Sequence, residues 1–216
     1  GELQVERLDI RGNRILTEKD VIALAKVPVG ASLYEVDLLE VRSRLRTNPY
    51  VAEAVVAHDL PATIKVTIKE RSPIAILGGP ELFYVNPEGY VLPPVTSKEI
   101  FDLPIITGLS EPQPIKAGMR IVSGNFRAAV DILTQAADLD RMDSSDKELS
   151  HLISEINIGS VDLTVYTVEH GIPILFRKEN VGTQLLYLHK FWDQYMRQQG
   201  AEQVRFIDLR FEEQVV

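Results

Sequence analysis

The 216-residue sequence contains no cysteine. No disulfide holds its fold, no thiolate zinc site is open to it, and it suits any redox compartment. Basic residues are in the minority, 23 Lys and Arg against 31 Asp and Glu, for a net charge of −8. That balance argues against nucleic acid or an anionic membrane as the main partner. No apolar run approaches the roughly 20 residues that span a bilayer, and no signal-peptide pattern is visible. Gly1-Glu2-Leu3 lacks an initiator methionine, so an upstream segment is expected. Also missing are a G-x-S-x-G elbow, a phosphate-binding glycine loop and any H-x₃-H spacing among His58, His151, His170 and His189. The expectation is therefore a protein that is not an enzyme and that carries no metal or cofactor. An enzyme whose site is assembled from distant residues is the reading against it. What is present, 45% hydrophobic residues over 216 positions, is enough for one large or two small cores.

The stretch Asn48–Ala75 organises the rest. Pro49 cannot continue a helix. Tyr50 to His58 is rich in β-branched and aromatic residues, and Asp59-Leu60-Pro61-Ala62 is a turn. Ile64, Val66 and Ile68 alternate with Lys65, Thr67 and Lys69, a strand with one buried and one wet face. Glu70-Arg71-Ser72-Pro73 ends it. Upstream, Leu3 to Ile10 reads as a strand with a bulge or twist between Val5 and Leu8, whose parities differ. Thr17 caps a helix with Val21, Ile22, Leu24 and Ala25 as its stripe. Asp37 with Glu40 resembles a capping box for a second helix whose Leu38, Leu39, Val41 and Leu45 face inward. The order is β-α-α-β-β.

After Ser72 the pattern changes. Ile74 to Leu77 and Leu82 to Val85 are short strands. Asn86-Pro87-Glu88-Gly89 is a tight turn with Gly89 free to take a positive φ, and Tyr90-Val91-Leu92 follows. Leu92 to Lys98 and Ser110 to Gly118 read as surface loops. Ser123 caps a helix from about Gly124 to Ala137. The acidic tract Asp138 to Asp146 lacks the central glycine of a calcium loop, and it reads as a solvated helix end. Ile153 to Ile158 and Val161 to Val168 form a hairpin around Gly159-Ser160, and Ile172 to Phe176 is a third strand. A helix then runs to about Gln199 with Gly200 at its end, and Leu185, Leu188, Trp192 and Tyr195 share its apolar face. Val204 to Phe211 is the final strand. Its position near the chain end makes it a candidate sheet edge, where a partner peptide can add a strand. Arg205 and Arg210 there suit an acidic partner.

These motifs carry a resemblance. RGNRILTEKDV, NPYVAEAVV and the IKVTIKER end are similar to a POTRA domain. The exit Glu70-Arg71-Ser72-Pro73-Ile74-Ala75 resembles the E-R-x-P-x-A junction of the FtsQ/DivIB cell-division family. Val85 to Val91 resembles that family's V-D-x-x-G-x-V, with Asn86 in place of the aspartate. Leu103 to Gly108 resembles its L-P-x-I-x-G, and Ile207-Asp208-Leu209-Arg210-Phe211 with Gln214-Val215-Val216 shortly after resembles its I-D-L-R-[FY] ending. Lys178 stands where a glycine often follows the arginine. The resemblance implies an α+β protein: a POTRA domain over 1–71, then a larger, mostly antiparallel sheet domain with flanking helices over 72–216. It implies a single-pass protein of the bacterial inner membrane. The present portion would be periplasmic at the septum and would hold division proteins together without covalent chemistry. Implied partners are FtsB and FtsL, bound by the second domain, with recruitment to other division proteins aided by the POTRA domain. Carried over, the partner-binding positions are Asp208, Leu209, Arg210, Phe211 and Gln214; Arg205 and Ile207 of the same candidate edge strand join them, and the interdomain junction is Glu70, Arg71 and Pro73. A component of polypeptide transport or outer-membrane assembly is the other POTRA reading, but it calls for repeated units or barrel strands, and neither is visible.

Overall fold

Capping and alternation act as expected in the first part of the chain. A computed structural model describes residues 3–95, 101–111, 114–143, 149–212 and 215–216. Thr17 and Asp20 form a reciprocal capping box: Asp20 N donates to Thr17 Oγ1 (3.1 Å) and Thr17 N to Asp20 Oδ2 (2.9 Å). They start α1 (Glu18–Ala25), which ends on left-handed Lys26. Asp37 accepts from Leu39 N and Glu40 N and starts α2 (Leu38–Leu45), whereas the Glu40 side chain accepts from Arg44 and does not close the expected box. Val21, Ala25, Val41 and Leu45 are buried, and the valine and leucine side chains each contribute about 1.5–3 kcal/mol of apolar burial. Leu39, expected to face inward, is 73% exposed. It follows the stripe residue Leu38 by one position, about 100° around the helix, and so lies off the Leu38-Val41-Leu45 line.

Strand β1 (Arg7–Arg11) pairs in parallel with β3 (Thr63–Glu70), and β2 (Val51–Asp59) pairs antiparallel on β3's other side. The sheet order is β1-β3-β2. The parity break between Val5 and Leu8 marks a change of neighbour. Val5 pairs with residues 30 and 31, whereas Glu6 N and Arg7 N both donate to Ala62 O. Gly12, at φ +83°, lies where a Cβ would sit 2.0 Å from Ile68 O, so both its backbone and its space require glycine.

The chain divides into two compact units, Gly1–Ser72 with Leu92–Phe101, and Pro73–Val91 with Asp102–Val216. In the first unit the Tyr50 hydroxyl donates to Pro93 O (2.5 Å).

The second sheet contains β4 (Ala75–Leu77), β5 (Phe83–Val85), β6 (Val91–Leu92), β7 (Ile105–Thr107), β8 (Ile153–Asn157), β9 (Leu163–Thr167), β10 (Pro173–Phe176) and β11 (Ile207–Asp208). Its order is β11-β10-β9-β8-β7-β4-β5-β6. The sheet is more evenly mixed than the mostly antiparallel one expected. β4–β7, β7–β8 and β10–β11 are parallel, while β4–β5, β8–β9 and β9–β10 are antiparallel. The reason is connectivity. Helix α3 (Gly124–Met142) links β7 to β8, and α4 (Val181–Phe191) begins the link from β10 to β11. A helical crossover returns the chain in the same direction, so its two strands pair in parallel.

Helices α3 and α4 pack together, and their apolar faces join the strands in one core. After α4 the chain takes a π-helical turn, Trp192–Met196. The wider turn moves the buried stripe. Met196 is buried in place of Tyr195, which is 38% exposed and stacks on Phe191 at 5.1 Å. Trp192 packs against the core, as expected.

Asn86 is buried at the β5–β6 turn. Its Oδ1 accepts from Tyr90 N (2.8 Å) and its Nδ2 donates to Glu88 Oε2 (2.6 Å). Gly89 takes φ +90°. Asp140 is not merely solvated: it accepts from Ser150 N (2.8 Å) and Ser150 Oγ (2.5 Å). Part of the acidic tract, 144–148, lies outside the described residues. Among the described residues no group of acids and histidines is placed to hold a metal, and no helix is long and apolar enough to cross a membrane.

Candidate functional site

The end of the second sheet is built by three consecutive pieces: β10, the turn into α4, and β11 with the chain end. The turn is held by one side chain. Gln184, on the buried face of α4, accepts from Arg177 N (2.8 Å) and donates to Arg177 O (3.1 Å) and Glu179 O (2.8 Å). This clamp satisfies backbone groups just before the helix, where Asn180 sits at φ +55° with no side-chain cap of its own. A glutamine on an apolar helical stripe, between Val181 and Leu185, was the available signal for it.

The final strand is shorter than Val204–Phe211. A 3₁₀ turn over Ala201–Gln203 precedes it, Val204 N donates back to Ala201 O (3.1 Å), and residues 204–206 lie outside any strand. At its other end Arg210 N folds back to Asp208 Oδ1 (3.0 Å) and ends the extended run. What pairs with β10 is Ile207–Asp208. On the outer side, Asp208 N donates to Val216 O (2.7 Å) and Val216 N to Asp208 O (3.1 Å). The expected edge is therefore already occupied at Asp208 by the chain's own end.

The carried-over positions separate accordingly. Ile207, Asp208 and Leu209 are buried, whereas Arg205 is exposed and Phe211 is 49% exposed. Arg210, expected to meet an acidic partner, is held internally. It donates to both carboxylate oxygens of Asp208 (Nε–Oδ1 2.9 Å, Nη2–Oδ2 2.7 Å) and to Asp162 Oδ2 (2.9 Å). These bonds hold the Asp208 carboxyl below the usual carboxylate range, because the guanidinium favours its ionised form, and Arg210 is pushed up in turn. Gln214 lies outside the described residues.

Beside this strand lies a cleft of about 210 Å³, with Arg177, Tyr187, Leu209, Phe211 and Glu212 among its walls. The Arg177 Nε is buried and makes no hydrogen bond among the described residues. Its Nη1 stands 3.8 Å from Glu212 Oε1, a loose contact. The cleft thus sets the Arg177 guanidinium, whose Nη1 faces Glu212, beside the half-exposed ring of Phe211.

The junction residues have another placement. Glu70 turns back into the first unit and accepts from Arg14 N (3.1 Å), Ile15 N (2.8 Å) and Leu16 N (2.9 Å). Arg71 donates to Pro49 O (2.6 Å) and Val51 O (3.3 Å). Both staple the end of β3 to its neighbours, and Pro73 opens the second unit.

Comparison with known proteins agrees over nearly the whole chain. A family model described as "POTRA domain, FtsQ-type" matches residues 3–71, and one described as "Cell division protein FtsQ/DivIB, C-terminal" matches residues 75–210. Similar proteins include the cell division protein FtsQ of Syntrophotalea carbinolica, 24% identical over 99% of this chain and 73% of the relative. FtsQ of Geotalea daltonii is 26% identical over 99% and 74%, and FtsQ of Geobacter sp. (strain M21) is 26% identical over 99% and 75%. With a POTRA-like β-α-α-β-β unit leading into a mixed sheet that ends on the I-D-L-R-F strand, the chain belongs to the FtsQ/DivIB family of cell division proteins.

Proposed function

We propose that this chain is a non-enzymatic scaffold of the division septum, the periplasmic part of a single-pass inner-membrane protein, and that it holds FtsB and FtsL through its second domain, 72–216. The POTRA domain, 1–71, contributes recruitment to other division proteins. The observation that carries the reading is the open end of the second sheet. There an outer strand is begun by Val215–Val216 against Asp208, beside a cleft containing the under-satisfied Arg177.

The mode is strand addition. A partner segment pairs with the outer side of the chain end, and its side chains reach the cleft formed with Phe211 and Arg177. Phe211 and Arg205, which are exposed, are the positions we assign to direct contact, with Gln214 kept from the sequence motif alone. Ile207, Asp208, Leu209 and Arg210 act beneath them by holding the strand. Arg177 joins the contact set as the cation for an acidic partner residue.

The test is Phe211→Lys, read by calorimetry against a soluble FtsB–FtsL ectodomain pair. Phe211 is half exposed, so circular dichroism should not change, while affinity should fall at least tenfold. Undiminished affinity with an unchanged fold would sink the reading.

A further inference from the structure

A second surface lies elsewhere in the same domain, on the turn joining β4 to β5. β11 is at one end of the sheet order and β4–β5 lie toward the other, so this surface is independent of the strand-addition site. The turn Gly78-Gly79-Pro80-Glu81 faces the segment after β7 across a cleft of about 260 Å³. Phe83, Leu109 and Ile115, each partly buried against the core, form its apolar walls. Glu81 and Glu111 also line it, and neither has a hydrogen-bond or ion-pair partner among the described residues.

The volume and charge select the occupant. At 260 Å³ the cleft falls below the roughly 300–1,000 Å³ of small-molecule sites, and it fits one large apolar side chain. Two carboxylates beside an apolar hollow favour a cation next to that side chain. The wider field has the same sign. Residues 1–72 carry 11 basic and 11 acidic side chains, whereas residues 73–216 carry 12 and 20, so the entire net charge of −8 belongs to the second part of the chain. At Glu81 and Glu111 that field adds to the local charge, so a cationic segment is favoured over an acidic one at this cleft.

We propose that this cleft is a docking site for an extended peptide segment of another polypeptide, one that inserts a single aromatic or aliphatic side chain flanked by lysine or arginine.

Gly79 provides a clean block. A Cβ there meets nothing within 4 Å, so a large side chain is accommodated at the cleft wall without displacing the backbone. The experiment is an amide NMR titration of the 216-residue chain with two synthetic peptides, acetyl-Gly-Lys-Phe-Lys-Gly-amide and acetyl-Gly-Glu-Phe-Glu-Gly-amide. The lysine peptide should shift the amides of Gly78, Gly79, Leu109 and Glu111 saturably. The glutamate peptide should bind at least tenfold more weakly. Glu81→Lys with Glu111→Lys should weaken the lysine peptide about three- to tenfold, the range of exposed charge pairs. Gly79→Trp should abolish its binding while amide shifts in β8 to β10 stay in place. Shifts confined to other residues, equal binding of the two peptides, or undiminished binding by either variant would overturn the proposal.

Discussion

Asp208 and Val216 exchange two backbone hydrogen bonds, of 2.7 and 3.1 Å. A residue that points both its N–H and its C=O at one antiparallel neighbour leaves the adjacent residue's groups pointing the other way. Val215 therefore presents its N–H and C=O on the side away from Asp208. Val215→Pro removes that outward donor and keeps the Val216–Asp208 pair. Binding of the FtsB–FtsL ectodomain pair should weaken about tenfold or more, the scale of one hydrogen bond lost to a buried partner group. Full affinity in titration calorimetry, with an unchanged amide spectrum, would rule out strand addition at this edge.

Glu70 should matter to stability more than its place at a strand end suggests. Its carboxylate accepts three backbone N–H groups of residues 14–16. Glu70→Ala strands those donors and should cost about 2–3 kcal/mol, the scale of hydrogen bonds to a charged group. Glu70→Gln should also destabilise, since its NH₂ cannot accept. Urea unfolding followed at amides of the first unit measures both, and a glutamine variant as stable as the parent would contradict the geometry.

Asn86 and Glu88 should be energetically coupled. The amide donates to the Glu88 carboxylate at 2.6 Å while accepting from Tyr90 N. Asn86→Asp keeps the acceptor but sets two carboxylates against each other, at a cost of about 1 kcal/mol or more near neutral pH. Glu88→Gln should recover much of that loss. A double-mutant cycle in thermal unfolding decides it, and additive single effects would show that the two side chains are not coupled.

Asp208 should contribute to acid unfolding. Its carboxyl is lowered in the folded protein by the Arg210 hydrogen bonds. The unfolded chain, with an aspartate near pKa 3.9, therefore binds more protons than the folded one across the interval between the two values. The contribution is complete above about pH 3.9 and is lost as pH falls through the depressed folded value. In Asp208→Asn the stability-against-pH curve should be flatter there. A variant curve parallel to the parent's below pH 4 would be the contrary result.

Local features were readable where the determinant and its consequence lie within a few residues. Thr17 caps because Asp20 is one helical turn away, and the β2–β3 hairpin forms because Ile64, Val66 and Ile68 alternate up to a proline turn. Leu39 and Tyr195 were misplaced because a periodic stripe tolerates a one-residue error, and in the second case because a π turn changed the period. In the candidate site, the I-D-L-R-F segment was visible as a motif, but motif membership did not separate Phe211, which is exposed, from Ile207 and Leu209, which are buried.

By itself, then, the sequence determined the order β-α-α-β-β, the helix caps, the hairpins and the motifs of the family, all of which depend on neighbours along the chain. The tertiary structure decided the rest. Glu70 meets Ile15, 55 residues away. Arg210 is taken by Asp162, 48 residues away, and is thereby turned from a free cation into an internal clamp. Two helical crossovers made strand pairs parallel that alternation alone could not orient. Val216, by pairing with Asp208, took the outer hydrogen-bonding side of the strand that first marked the edge. Such pairings depend on which hydrogen-bonding groups the packed core brings face to face, and periodicity along a sequence carries no record of that.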